Sequence, residues 1–322
     1  MKASPWTTPS LPRYVAPVDD RAARDFLHQR FGPKARISAM RPGEWSAVYA
    51  VRTETAELVA RFSAYDSDFE KDAYVARYAS AALPIPPIIE TGPVAGGFYA
   101  TAERIAGEHI DQIDGTQMRR VLPSLFAALD AIRAIDLSGA SGFGGWRADG
   151  STQHLTWLAF LLGVATDPST RGGLNSREQL KGSLSGVGVF DEGFDRMRAL
   201  VDHCPEDRYL VHDDLMNRNV LVAGDRVSAV LDWGSSLYGD FLYDIAKLVF
   251  YQPWRPAWGH IDFAREARAH YDAIGFAVPN FTERLTCYCL RIGLADMAYS
   301  AFRERREQVA LKARRVLEFA RS

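Results

Sequence analysis

The sequence predicts an α+β fold in two lobes, a small mixed lobe over residues 1–105 and a larger, mainly helical lobe over 106–322. Three observations predict it. Glu57-Leu58-Val59-Ala60-Arg61-Phe62 alternates as a half-buried strand does, and Phe98 to Gly107 reads as a strand running into a connector. Beyond Gly107 the apolar residues Met118, Val121, Leu122, Leu125, Leu129, Ile132 and Ile135 keep helical spacing. Between helical stretches, Tyr209-Leu210-Val211, a polar loop and two short apolar runs around Ala223-Gly224-Asp225-Arg226 form a strand, a loop and a hairpin. A chain of 322 residues, 47% hydrophobic, can bury the core that two lobes require.

Taken in order, Met1 to Asp20 is proline-rich and polar with no apolar central stretch, so it does not read as a signal peptide. Arg41 to Tyr49 sits where a loop between two strands would cover phosphates. Gly43 suits its turn, and the Ser46 hydroxyl could reach a β-phosphate oxygen. Arg61 follows on the next strand. Kinases place a cation there for the α- and β-phosphates, paired with an acid on the following helix. Within Phe69 to Tyr74 the best-placed acid is Asp72, with Glu70 second; a forked cation needs a shorter acid to keep the same reach. Pro123 marks a kink or a late start of the helix that holds it. Leu155 to Ala165 is too short to span a bilayer and reads as a buried helix. After Gly239, Ile245, Leu248 and Val249 return to helical spacing, and Asp240 or Asp244 can cap that helix or bond loop amides. The Arg-rich end, Arg303 to Arg321, reads as the wet face of a last helix.

The most informative stretch is His212 to Asn219, an H-x-D-x-x-x-x-N sequence, with Asp232 at the end of the hairpin that follows. Protein-kinase-like folds deliver their catalytic groups in this order. Phosphoryl transfer needs one carboxylate to orient and deprotonate a hydroxyl, and hard oxygen ligands for a small cation on the phosphates. Asp214 fits the first task, Asn219 and Asp232 the second. Any one of them alone would be an ordinary turn residue. His212 is expected to pin the loop through its ring rather than act as a base. Phe250-Tyr251-Gln252-Pro253-Trp254 is unusually aromatic. Phe250 reads as core, while Tyr251 and Trp254 are taken as contacts for sugar C–H faces or ammonium groups, together with Asn217 of the loop.

These segments resemble the aminoglycoside phosphotransferase family, and within it the hygromycin B phosphotransferases. The closer likeness lies in Ala79 to Pro86, Ser141-Gly142-Phe143-Gly144, Leu210-Val211-His212 with Asp214, Ala229 to Trp233, and Leu290 to Leu294. The resemblance implies a bilobal protein-kinase-like fold with ATP (or GTP) and Mg2+ as cofactors. It also implies an arginine at position 61, adenine held by the backbone of Glu103 and Ile105, and transfer of the γ-phosphate to a hydroxyl of an aminocyclitol antibiotic. Two alternatives remain open: a kinase of the same fold for a macrolide, choline or an amino-acid alcohol, and a non-catalytic nucleotide-binding module.

Charge agrees with a cationic small-molecule substrate. The net charge of −2 argues against a nucleic-acid partner. Residues 191–272 carry 15 acidic and 9 basic side chains, whereas residues 1–105 carry 12 and 13. The acidic segment is the one expected to meet the acceptor, and its field attracts cations. Cys204, Cys287 and Cys289 read as small core residues in a reducing compartment. A cytoplasmic monomer with no membrane partner is expected.

Overall fold

The computed structural model describes residues 18–167, 174–183 and 186–322, so Met1 to Pro17 of the segment discussed above lie outside the described residues. The class is α+β, with two compact units. One comprises the residues up to Ile113 together with Asn217–Ser235, the other Asp114–Met216 with Ser236–Ser322.

The first unit begins with α1 (Asp20–Phe31), started by Asp19, whose carboxylate accepts the Ala22 amide at 2.9 Å. The helix buries Ala23 and Leu27 against an antiparallel sheet of β1 (Arg36–Ala39), β2 (Ser46–Arg52), β3 (Glu57–Ser63), β4 (Ile88–Val94) and β5 (Gly97–Glu103), in the order β1-β2-β3-β5-β4. Alternation along β3 puts Leu58, Ala60 and Phe62 into the same core as Leu27, Tyr49 and Tyr99. Arg61 therefore projects from the other face. Helix α2 (Ser67–Val75) follows β3. The strand β6 (Glu108–His109) joins the hairpin Val220–Ala223/Arg226–Val230 in a second, three-stranded sheet. Gly224 makes the hairpin turn at φ 61°, a conformation glycine adopts without steric cost.

The second unit carries α3 (Gly115–Arg133), α4 (Trp157–Leu162), α5 (Ser176–Gln179), α6 (Gly186–Leu200), α7 (Leu242–Tyr251), α8 (Phe263–Ala273), α9 (Phe281–Phe302) and α10 (Arg306–Ala320). Four short strands, in the order Thr152–His154, Phe143–Trp146, Leu237–Gly239, Tyr209–Val211, form its sheet. Helix α9 is apolar on most sides and buries Leu285, Tyr288, Leu290, Leu294 and Met297. A Cβ at Gly293 would come within 2.5 Å of Val316 and 2.8 Å of the Phe250 ring, so glycine lets α10 and α7 approach closely.

One local reading is narrowed and one corrected. Of the two readings of Pro123 the late start is ruled out, since α3 begins at Gly115 and runs through Pro123, with Val121, Leu122, Leu125 and Phe126 around it all buried. Packing there outweighs the one lost backbone bond. Leu155 to Ala165 is not one buried helix. Leu155 is 90% exposed, α4 starts at Trp157 behind the Thr156 cap, and a 3-10 turn covers Gly163–Ala165. Among the described residues, no helix is long and apolar enough to cross a membrane.

Candidate active site

The residues that the sequence assigns to the nucleotide, Arg61, Asp72, Asn219 and Asp232 among them, belong to the first unit. Arg61, on β3, forms an ion pair with Asp72 of α2, and its other guanidinium nitrogen lies 3.6 Å from Asp232. Glu70, the second candidate partner, is exposed. Burial works against the Arg61 charge, and the carboxylates of Asp72 and Asp232 more than offset it, so the pKa is raised. The other Asp72 oxygen accepts the Trp233 amide at 2.7 Å, and neighbouring Lys71 donates to the Gly234 carbonyl at 3.0 Å. One turn of α2 thus grips the backbone just after Asp232 while orienting the cation beside it. Asp232 itself adopts φ 59° and remains 48% exposed. A left-handed backbone is uncommon at a residue other than glycine, though aspartate tolerates it, and such conformations gather at functional sites.

Asn219 stands beside Asp232 by strand pairing. Its carbonyl accepts the Leu231 amide at 2.7 Å, next to the Val220–Val230 register pair. Its side chain is buried and that of Asn217 is exposed. Arg218 between them has φ 68°, and its carbonyl is 2.8 Å from Nδ1 of His109 on β6. In the loop before β2, a Cβ on Gly43 would meet the Ser46 hydroxyl at 2.7 Å, so glycine lets the turn fold onto Ser46. The connector carrying Glu103 and Ile105 is fixed by Arg104 donating to Glu57 O (2.9 Å) and Ser228 donating to Ala106 O (3.0 Å).

Asp214 lies in the second unit, five residues before Asn219 on the same loop. Its amide donates to Nδ1 of fully buried His212 at 3.2 Å, so that ring nitrogen acts as an acceptor. Asp244, at the start of α7, accepts the amides of His212 (2.9 Å) and Asp213 (2.8 Å). Asp240 instead accepts the Leu242 amide and a bidentate pair of bonds from buried Arg284, and so belongs to the scaffold beneath. Burial pushes the Asp244 carboxyl up to about 7, against the lowering effect of those two amides.

The Asp244 shift fixes a sign for pH. Native Asp244 takes up its proton near pH 7 and the unfolded chain only near 3.8, so acidification through that window favours the native state at this residue. Asp244→Asn lacks the effect. The stability of the native sequence relative to Asp244→Asn is expected to increase as pH falls from about 7 to about 4. Denaturant midpoints measured across that range check it, and parallel curves would contradict it.

Of the aromatic candidates, Tyr251 donates to Asp296 at 2.7 Å, and burial, followed by the Asp296 charge, raises its pKa well above normal. Trp254 is only 7% exposed and packs on Phe250 and Tyr251, so most of its ring belongs to the core. Sequence reasoning did not single out Lys71, Asp213, Lys247, Arg255 or Asp296. Arg255 donates to the Met216 carbonyl at 3.1 Å, and such a backbone contact leaves no sequence pattern to find.

The phosphotransferase enzyme family matches residues 39–277. This chain is a member of that family. Hygromycin-B 4-O-kinase of Escherichia coli is 31% identical over 278 residues, covering 86% of this phosphotransferase and 77% of the relative. A thermostable mutant of aminoglycoside phosphotransferase APH(4)-Ia, solved as a ternary complex with AMP-PNP and hygromycin B, matches with a TM-score of 0.81 at 29% identity. That match covers 93% of this chain and 98% of the other. The GDP complex of aminoglycoside 2'-phosphotransferase-IIIa, at 12% identity and a TM-score of 0.64 over 94% and 99% of the two chains, shares the fold.

An exchange at Arg61 separates phosphate binding from a surface role. Arg61→Ala is expected to raise the KM for ATP by about tenfold or more, the loss of one charge-assisted contact, and to leave the acceptor KM nearly unchanged. Arg61→Lys should recover part of the loss, since a point charge cannot reproduce a forked contact. Steady-state kinetics with each substrate varied in turn decide it, and unaltered ATP kinetics in the alanine variant would remove Arg61 from the site.

Proposed function

We propose that this phosphotransferase moves the γ-phosphate of ATP, or of GTP in its place, to a hydroxyl of hygromycin B, inactivating the antibiotic. The observation carrying the acceptor assignment is the 31% identity to Hygromycin-B 4-O-kinase over 86% of the chain. In this reading Asp214 orients the acceptor hydroxyl and takes its proton as the phosphoryl group arrives. Arg61, held by Asp72, fixes the α- and β-phosphates, the Gly43–Ser46 turn covers them, and the backbone of Glu103 and Ile105 meets the adenine edge. Asn217, Tyr251 and Trp254 contact the acceptor. The nucleotide-binding lobe is residues 1–105, and the enzyme acts as a cytoplasmic monomer.

The Asn219 amide oxygen and the Asp232 carboxylate are the donor types that magnesium takes. Among the described residues no group of three or more His, Cys, Asp or Glu side chains is placed to hold a metal. A site of one carboxylate and one amide suits a cation completed by phosphate oxygens and water. Held by Asn219 and Asp232, magnesium would supply positive charge against the negative charge that develops on the phosphates.

Coupled ATP turnover with hygromycin, kanamycin, a macrolide and choline tests the assignment, beside resistance of cells expressing the chain. Hygromycin is expected to be the best acceptor, with an apparent affinity that falls as added salt screens the acidic segment. Strong turnover with a neutral or singly charged acceptor, and none with hygromycin, would overturn the acceptor and leave the kinase in place.

A further inference from the structure

Two residues beside Asp214, Asp213 and Lys247, have no task in the chemistry above. Asp213 adopts φ 65°, in the left-handed region that side-chain-bearing residues rarely occupy. Its amide is tied to Asp244 at 2.8 Å, and its carboxylate lies 2.8 Å from Nζ of Lys247. Asp244 and Lys247 are three residues apart on α7, so both ties run to one face of one helix. The paired side chains are well covered, 22% exposed for Asp213 and 19% for Lys247. Burial opposes the lysine charge, and Asp213 foremost, then Tyr243 and Asp214, hold its pKa above the ordinary value. The dihedrals of residue 213 set the direction in which residue 214 leaves the chain. A glycine would adopt φ 65° freely and leave that direction loose. An aspartate anchored through both its backbone and its side chain fixes it.

We propose that Lys247 is a positioning residue for phosphoryl transfer, which through its ion pair with Asp213 holds the left-handed turn that aims Asp214. The proposal rests on the kinase reading above and deepens it. Lys247 touches neither substrate in this account, so its removal should appear in kcat and not in binding.

Lys247→Met is expected to lower kcat by about 10- to 100-fold, the scale of a small misplacement of a catalytic group, with both KM values within about twofold of normal. Lys247→Arg, which keeps the charge, should restore most of the loss. In an Asp214→Ala background the same Lys247→Met change should cost less than about twofold, because the group it positions is already gone. A full repeat of the loss in that background, a rise of both KM values with kcat intact, or no effect at all would overturn the proposal. If Lys247→Met does not fold, Asp213→Asn removes the ion pair at nearly constant volume, and the same outcomes apply to it. Hydrogen exchange over residues 210–216 reads the anchoring without turnover. Faster exchange there in the variant, with the rest of α7 unchanged, is expected, and unchanged exchange would contradict the proposal even if no acceptor proved active. Absence of kinase activity in the unaltered protein would strike the parent reading alone.

Discussion

Asp214→Ala is expected to fold, to bind Mg-ATP with nearly normal affinity, and to lose turnover by about 10³-fold, within the 10²–10⁴ that a positioned general base supplies. Selectivity follows from placement. Asp214 is half-buried and joined to the scaffold by its backbone amide on His212, a bond that alanine keeps. The groups proposed to hold the nucleotide, Arg61, Asp72, Asn219 and Asp232, belong to the other compact unit. Asp232→Ala is the informative contrast. In the proposed site it removes a cation ligand, so metal-dependent nucleotide binding should weaken along with turnover. Calorimetric titration of Mg-ATP into both variants separates the two roles, and near-normal turnover in Asp214→Ala would remove this carboxylate from the mechanism.

The largest expected loss of stability is at Asp240→Ala. Asp240 is fully buried, and its two oxygens accept Nε and Nη2 of Arg284 at 2.8 Å each, with the Tyr288 hydroxyl on the same carboxylate. Arg284 is itself 4% exposed and also donates to the Pro279 carbonyl at 2.9 Å. Removing the carboxylate leaves a guanidinium buried without its counter-charge, a change that costs about 3–5 kcal/mol. Replacing both partners by apolar residues of similar volume should recover much of that loss, since the buried pair carries a desolvation cost of its own. Denaturant unfolding of Asp240→Ala and of the paired apolar variant measures both. A loss below about 1 kcal/mol in the single variant, the scale of an exposed ion pair, would contradict this account of the scaffold.

What could be read in the sequence depended on how locally the information is stored. The H-x-D-x-x-x-x-N spacing is legible because one loop must carry Asp214 and Asn219, and a short hairpin must return Asp232 beside Asn219. The alternation of β3 places Arg61 opposite the apolar core without any tertiary knowledge. The strand Leu237–Gly239 was not legible. It has three residues, and its partners Phe143–Trp146 and Tyr209–Val211 are distant in sequence. Lys71 was missed because its partner is a backbone carbonyl 163 residues away. The left-handed turns at Asp213 and Asp232 were missed because aspartate tolerates that region without announcing it, as glycine would. Trp254 shows the opposite limit. Its aromatic neighbourhood is plain in the sequence, but composition does not say that the ring is buried, with Phe250 and Tyr251 packed on it.

The central claim is transfer of a phosphoryl group to hygromycin B by the Asp214 loop. Incubation with ATP labelled at the γ-phosphate, followed by separation of the antibiotic, tests it most directly. The account predicts label in hygromycin B with the unaltered protein and almost none with Asp214→Ala. Label that appears only as inorganic phosphate, or equally in both proteins, would contradict it.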